Sequence, residues 1–237
     1  MPFMVKSKKL AYAFLIAFCL FNYACSQSGQ KNQQLGLEYE KKALQLQTKE
    51  DYNKALEYQL KAIELNPNKA KSYAVLSSLY VDLNEPQKAV EAAKNAVSLE
   101  PQNAENHYQL AVASRRIEDF QKALQEFQEA VKLSPNSTNY LINLGGTFED
   151  LDDRISARQS YEKALTVDSN YVPAIYLLGE LEVEDGNIDK AIELFKKASE
   201  IKIPENRQAE QSNSQQDAKR RLQELETKKR TSPQKKP

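Results

Sequence analysis

One histidine, two cysteines and two acidic clusters are the residues of this 237-residue chain whose types could support chemistry. A catalytic imidazole needs a positioned nucleophile or carboxylate beside it, and no partner for His107 is visible in the sequence. At steps of 34 residues its position is taken by Tyr39, Tyr73, Leu141 and Ile175, which makes His107 a half-buried packing residue. The clusters Glu149-Asp150-Leu151-Asp152-Asp153 and Glu180-Leu181-Glu182-Val183-Glu184-Asp185 could attract a cation. They lack the alternating ligands and closing glutamate of a calcium loop, so they read as solvated helix ends and groove wall. Six glycines are scattered without forming a phosphate loop. Asn136-Ser137-Thr138 would accept a glycan only in a eukaryotic secretory chain. The expectation is a protein that is not an enzyme and that uses no cofactor and no metal.

Cys19 and Cys25 lie in a different context. Residues 1–25 run from a basic start (Lys6, Lys8, Lys9) through an apolar stretch from Leu10 to about Phe21 to Ala24 and Cys25, the layout of an export leader. Its apolar run is shorter than the ~20 residues a bilayer-spanning helix needs. The site resembles a bacterial lipoprotein signal, with Ala24 in the small-residue position before the cysteine and Asn22 where an aliphatic residue is usual. The resemblance implies a signal peptide over 1–24, diacylglycerol on the Cys25 sulfur, and an acyl group such as palmitate on the new amine. Cys19 would then leave with the leader. An uncleaved anchor, or a secretory leader with an incidental cysteine, is the alternative. Residues 25–35 are polar and read as a tether.

The elements that would position any site emerge from periodicity. From Gly36 to Glu205 the chain divides into five blocks of 34 residues without insertion: 36–69, 70–103, 104–137, 138–171 and 172–205. Alanine recurs in register at Ala55, Ala89, Ala123, Ala157 and Ala191, and seven residues on at Ala62, Ala96, Ala130, Ala164 and Ala198. Two turns apart on one helix, such pairs mark where backbones approach closely. Between them lie Gln59, Ala93, Phe127, Tyr161 and Phe195, in a position that prefers bulk. The preceding helix of each block carries Ala43, Ser77, Ala111, Gly145 or Gly179. Pro67, Pro101 and Pro135 end the second helix, since proline disfavours helical geometry in the residue before it.

This pattern resembles the tetratricopeptide repeat. The resemblance implies an all-α fold: a right-handed superhelical solenoid of five helical hairpins, closed by a C-terminal capping helix. Within residues 206–230, a linker and cap, Asp217–Arg230 places Ala218, Leu222 and Leu225 on one stripe; 231–237 reads as a disordered basic tail. The resemblance also places first helices on a concave wall that binds a partner peptide or helix, here through Tyr108, Val112, Arg115, Arg116, Asn139, Ile142, Tyr176 and Glu180.

Charge narrows the choice of partner. The chain is neutral overall, yet residues 36–205 carry 20 basic against 29 acidic side chains, while Asp217–Pro237 carries eight against three. An acidic repeat body excludes nucleic acid as its ligand. The expected role is a lipid-anchored interaction scaffold of the bacterial cell envelope, at the outer membrane. Two alternatives are an accessory subunit that presents substrate to an envelope hydrolase or glycosyltransferase, and a self-assembling structural protein.

Overall fold

The computed structural model describes residues 26–39 and 49–231. The leader, Cys25, residues 40–48 with Ala43, and the tail from 232 lie outside the described residues. Helices account for all regular structure among the described residues. They are α1 (26–39), α2 (Lys49–Leu65), α3 (Ala70–Asp82), α4 (Pro86–Leu99), α5 (Ala104–Arg116), α6 (Phe120–Leu133), α7 (Thr138–Asp150), α8 (Arg154–Val167), α9 (Val172–Glu184), α10 (Ile188–Glu200) and α11 (Gln208–Thr231). The chain forms two compact units, one ending at Asp119 and one starting at Phe120.

In both units the turn inside each hairpin is built alike. Asn84, Glu118, Asp152 and Gly186 occupy the same position in successive blocks, and all four have positive φ, between 59° and 78°. The next residue's N–H reaches back to a carbonyl five residues earlier: Glu85 to Tyr80, Asp119 to Ser114, Asp153 to Phe148 and Asn187 to Glu182, at 2.8–3.0 Å. This is the Schellman closure, which satisfies carbonyls that a helix end leaves orphaned. The two acidic clusters supply parts of these turns. Asp153 also caps α8, accepting from the Ser156 N–H at 3.1 Å.

The first unit packs α3 against α4, with α5 lying across both. Its core joins Ala89, Val90, Ala93, Leu110 and Ala113. Ser77 faces the second helix and donates to the Ala89 carbonyl at 2.9 Å. Gln59, in the position that prefers bulk, is fully buried, and its amide donates to the Ser72 carbonyl at 2.9 Å. The stretch expected as a tether is helical instead. Gly29, Gln33 and Gly36 form the buried face of α1, and a Cβ at Gly29 would lie only 3.3 Å from the Leu65 Cβ. Its contact with α2 combines close backbone approach at Gly29 and Gly36 with the Tyr39 ring stacked on Tyr58 at 5.0 Å, and the glycine part of that face is one that hydrophobic periodicity cannot reveal.

In the second unit the small and large positions compensate. A Cβ on Gly145 would overlap the Tyr161 ring, and one on Gly179 would come within 2.5 Å of Phe195. Both rings are fully buried. The aromatic side chains therefore require glycine on the facing first helix. All ten register alanines, across both units, are at most 1% exposed.

The cap is longer than the expected Asp217–Arg230. A 3-10 turn, Glu205–Arg207, leads into α11, which begins at Gln208 and packs on α9 and α10. Ala218 and Leu225 are buried as expected and Leu222 is half-buried, but the added turns are anchored by glutamines. Gln211 accepts from the Val172 N–H at 3.1 Å, and Gln215 donates to the Ile201 carbonyl at 2.6 Å. These side chains satisfy the open ends of α9 and α10.

Candidate functional site

Each unit carries its own stretch of first-helix wall. On α5, Tyr108, Val112, Arg115 and Arg116 fall at helical spacing on one stripe; the first three are half-buried and Arg116 is exposed. The opposite side of α5 locks the helix in place. Asn106, 1% exposed, donates to the carbonyls of Ala96 at 3.0 Å and Glu100 at 3.2 Å, bridging to the end of α4. His107 lies 2.9 Å from the Pro101 carbonyl through Nε2, which must carry the proton to donate there. Its ring is thus a buried strut for the loop before α5, in agreement with its reading as a packing residue. The positive charge of Arg116 acts on Asp82 of α3: partial burial holds that carboxyl above its usual pKa, and Arg116 opposes the shift.

In the second unit, α7 exposes Asn139 and leaves Ile142 half-buried beside the Tyr161 and Leu178 cluster. Asn143, one turn on from Asn139, donates to its backbone carbonyl at 2.9 Å and its side-chain oxygen at 3.0 Å. Tyr161 donates its hydroxyl to Glu149 at 2.6 Å, so this member of the first acidic cluster is tied to the core.

The wall residues of α9 are differently placed. Tyr176 leans on the Phe195 ring at 5.7 Å, and its hydroxyl is pushed up to about 12 by burial and by neighbouring Glu180. Glu180 receives a two-pronged contact from Arg221 of α11, at 2.7 and 2.9 Å. The expected open acidic wall at Tyr176 and Glu180 is therefore occupied by the cap.

The second acidic cluster departs further from a solvated reading. Glu182 is 1% exposed and accepts from Arg158 of α8 at 2.5 Å, Lys190 of α10 at 2.6 Å and Asn187 at 2.8 Å. Burial alone would raise its pKa, but the three donors outweigh that and hold it down at about 2. Arg158 also reaches Asp185 at 2.7 Å, and Arg154 reaches Glu184 at 3.1 Å. These carboxylates join hairpins, with arginine and lysine as their counter-ions. Among the described residues no cluster of His, Cys, Asp or Glu has a metal-holding arrangement. Sequence reasoning missed Arg158 and Lys190, although the register held a signal. Glu182 shares its position with Tyr80, Ser114 and Phe148, packing residues and not wall residues.

Repeated helical hairpins with buried small positions and a side-chain-rich first-helix wall define a class of protein-interaction scaffold. Tetratricopeptide repeat models match residues 32–69, 75–138, 138–171 and 172–202, and the chain belongs to this family. No curated protein matches it in sequence. Among solved structures it is similar to MamA, with 28% identity over 64% of this chain and 89% of that one at a TM-score of 0.57. Pseudomonas aeruginosa PilF shares the fold at 19% identity, covering 89% and 95%, with a TM-score of 0.66. A thermophilic tetratricopeptide protein of Thermus thermophilus does so at 21%, covering 84% and 100%, with a TM-score of 0.61.

Proposed function

We propose that this chain is a membrane-tethered interaction scaffold of the bacterial cell envelope, anchored through lipid on Cys25, that binds a partner peptide or helix on its first-helix walls. The observation that carries the binding assignment is the α5 stripe. An aromatic ring, a β-branched side chain and two guanidinium groups are presented at helical spacing on a helix fixed by Asn106 and His107. Such a rigid surface suits a partner with an acidic group beside an apolar one, because arginine pairs with carboxylates in a fixed fork while the tyrosine face takes apolar groups. The family supports the scaffold role, the leader pattern in residues 1–25 supports the anchor, and Ser26 in place of Asp directly after the cysteine resembles the outer-membrane sorting pattern of bacterial lipoproteins. Among the described residues no helix is long and apolar enough to cross a membrane.

The test is capture from detergent-solubilised membranes of the native host, comparing the native chain with Arg115→Glu/Arg116→Glu. Arg115 is half-buried and Arg116 exposed, so circular dichroism should first show equal helical content in the two chains, and the folded variant should lose the partner. An unchanged set of captured proteins would remove the wall assignment. Recovery of further copies of the chain alone would replace it with self-assembly, and copurification of an envelope hydrolase or glycosyltransferase would favour the accessory-subunit role. Mass spectrometry of the mature N-terminus tests the anchor separately: an unmodified Cys25 would overturn it.

A further inference from the structure

Helix α11 is attached by different means along its length. Just before it, Arg207 donates to Asp168 at 2.5 Å and lies over the Tyr171 ring at 5.5 Å. In its first two turns Glu210 accepts from the Tyr171 hydroxyl at 2.7 Å, while Gln211 and Gln215 meet backbone groups at the ends of α9 and α10. This half is stitched to the backbone of the last hairpin.

From residue 216 onward the attachment is made by side chains alone. Ala218 and Leu225 are buried against the cluster of Val172, Ile175, Ala191, Phe195 and Ala198, with Leu222 alongside. Arg221 forks onto Glu180. Lys229 meets Asp189 at 2.6 Å, a contact exposed enough to contribute little. Two buried apolar side chains in a 24-residue helix are few beside α9, which buries Val172, Ala174, Ile175, Leu178 and Leu181 in 13 residues. Tyr176, Val183, Ile188 and Ile192 pack partly buried around the same cluster.

We propose that this face of α9 and α10 is a helix-binding site, and that the C-terminal half of α11 is its resident occupant, displaced by a partner helix. The partner helix presents a small residue, an arginine and two leucines at the spacing of Ala218, Arg221, Leu222 and Leu225. That pattern is an amphipathic helix read at i, i+3, i+4 and i+7. The small residue allows close approach, and the arginine selects partners through the fork onto Glu180. Opening of residues 216–231 alone, with the Gln211 and Gln215 contacts kept, exchanges one helix for another without unfolding the hairpin. The inference rests on the reading that first-helix walls bind partners, and adds which helix chemistry the last one takes.

The probe is a fluorescently labelled synthetic peptide of residues 208–231, titrated into the full chain and followed by anisotropy. Arg221→Glu in the chain weakens the resident and should tighten peptide binding at least tenfold over the native chain. Glu180→Arg should abolish binding of the native-sequence peptide and restore it to a peptide carrying Arg221→Glu. Equal affinity for native and Arg221→Glu chains, or indifference to Glu180→Arg, would overturn the proposal. Hydrogen exchange on the native chain gives a test that needs no variant. Amides of residues 216–228 should exchange together and faster than those of α9 and α10, and protection equal to that of α10 would equally overturn it. The assay contains no envelope partner, so its failure would leave the α5 wall standing, whereas failure of the α5 wall test would remove the partner reading and leave only the opening of α11.

Discussion

Replacing Glu182 by glutamine should destabilise the second unit in a manner that depends on pH. The native carboxylate is 1% exposed and is held by Arg158, Lys190 and Asn187, with its pKa lowered from 4.5 to about 2. At 1.36 kcal/mol per pKa unit, that depression corresponds to about 3 kcal/mol of stability at neutral pH. Because the folded pKa lies below the unfolded one, the contribution is complete above about pH 5. It falls as the pH drops through 4.5 and is gone near pH 2. Glu182→Gln keeps the shape but strips Arg158 and Lys190 of the charge between them, and Arg158 retains only Asp185 at 2.7 Å. The native chain should therefore exceed the variant by about 3 kcal/mol at pH 7 and by less than about 1 kcal/mol at pH 2.5. Repeat arrays need not unfold in one step, so the measurement should be local: amide hydrogen exchange of α9 and α10 across that pH range. An equal loss at pH 7 and pH 2.5 would show that the carboxylate's charge is not what the substitution removes, and a loss under about 0.5 kcal/mol would remove the network from the stability of the fold.

Two further substitutions test the backbone reasoning. Gly145→Ala drives a methyl group into the Tyr161 ring and should cost about 1–3 kcal/mol in thermal or urea unfolding, with Gly145→Ala/Tyr161→Ala losing less than the sum of the single changes. Glu118 holds φ 61° where Asn84, Asp152 and Gly186 are better suited to that conformation; Glu118→Gly should raise stability by up to about 1 kcal/mol, and a lower melting temperature would show that the side chain offsets the strain.

The hairpins and their buried alanines are legible in the sequence because a steric requirement recurs every 34 residues and tolerates only small side chains. The α5 stripe is legible for the same reason, since register alone assigns a residue to the wall or to the core. Three features are not. Residues 26–34 are helical through glycine and glutamine contacts that carry no hydrophobic signature. The start of α11 depends on Gln211 and Gln215, whose partners are backbone groups 14 to 39 residues away. Glu182 and Glu180 stand two residues apart in one acidic run, yet the first faces Arg158 and Lys190 in the interior and the second faces Arg221. Helical geometry turns each residue by about 100°, so these two carboxylates point about 200° apart and one run of charge is divided among separate partners.

The early start of α1 changes what an anchor at Cys25 would mean for the range over which the scaffold can search. Nine residues of flexible linker would let the first hairpin wander with a root-mean-square reach of roughly 17 Å. The same nine residues as helix rise about 14 Å along a fixed axis, with Gly29 and Gln33 packed into the hairpin they lead to. With acyl chains on Cys25, the first repeat would be held close to the bilayer by a short helix in place of a coil. The scaffold would then search a smaller volume above the lipid than a flexible leash of the same length would allow.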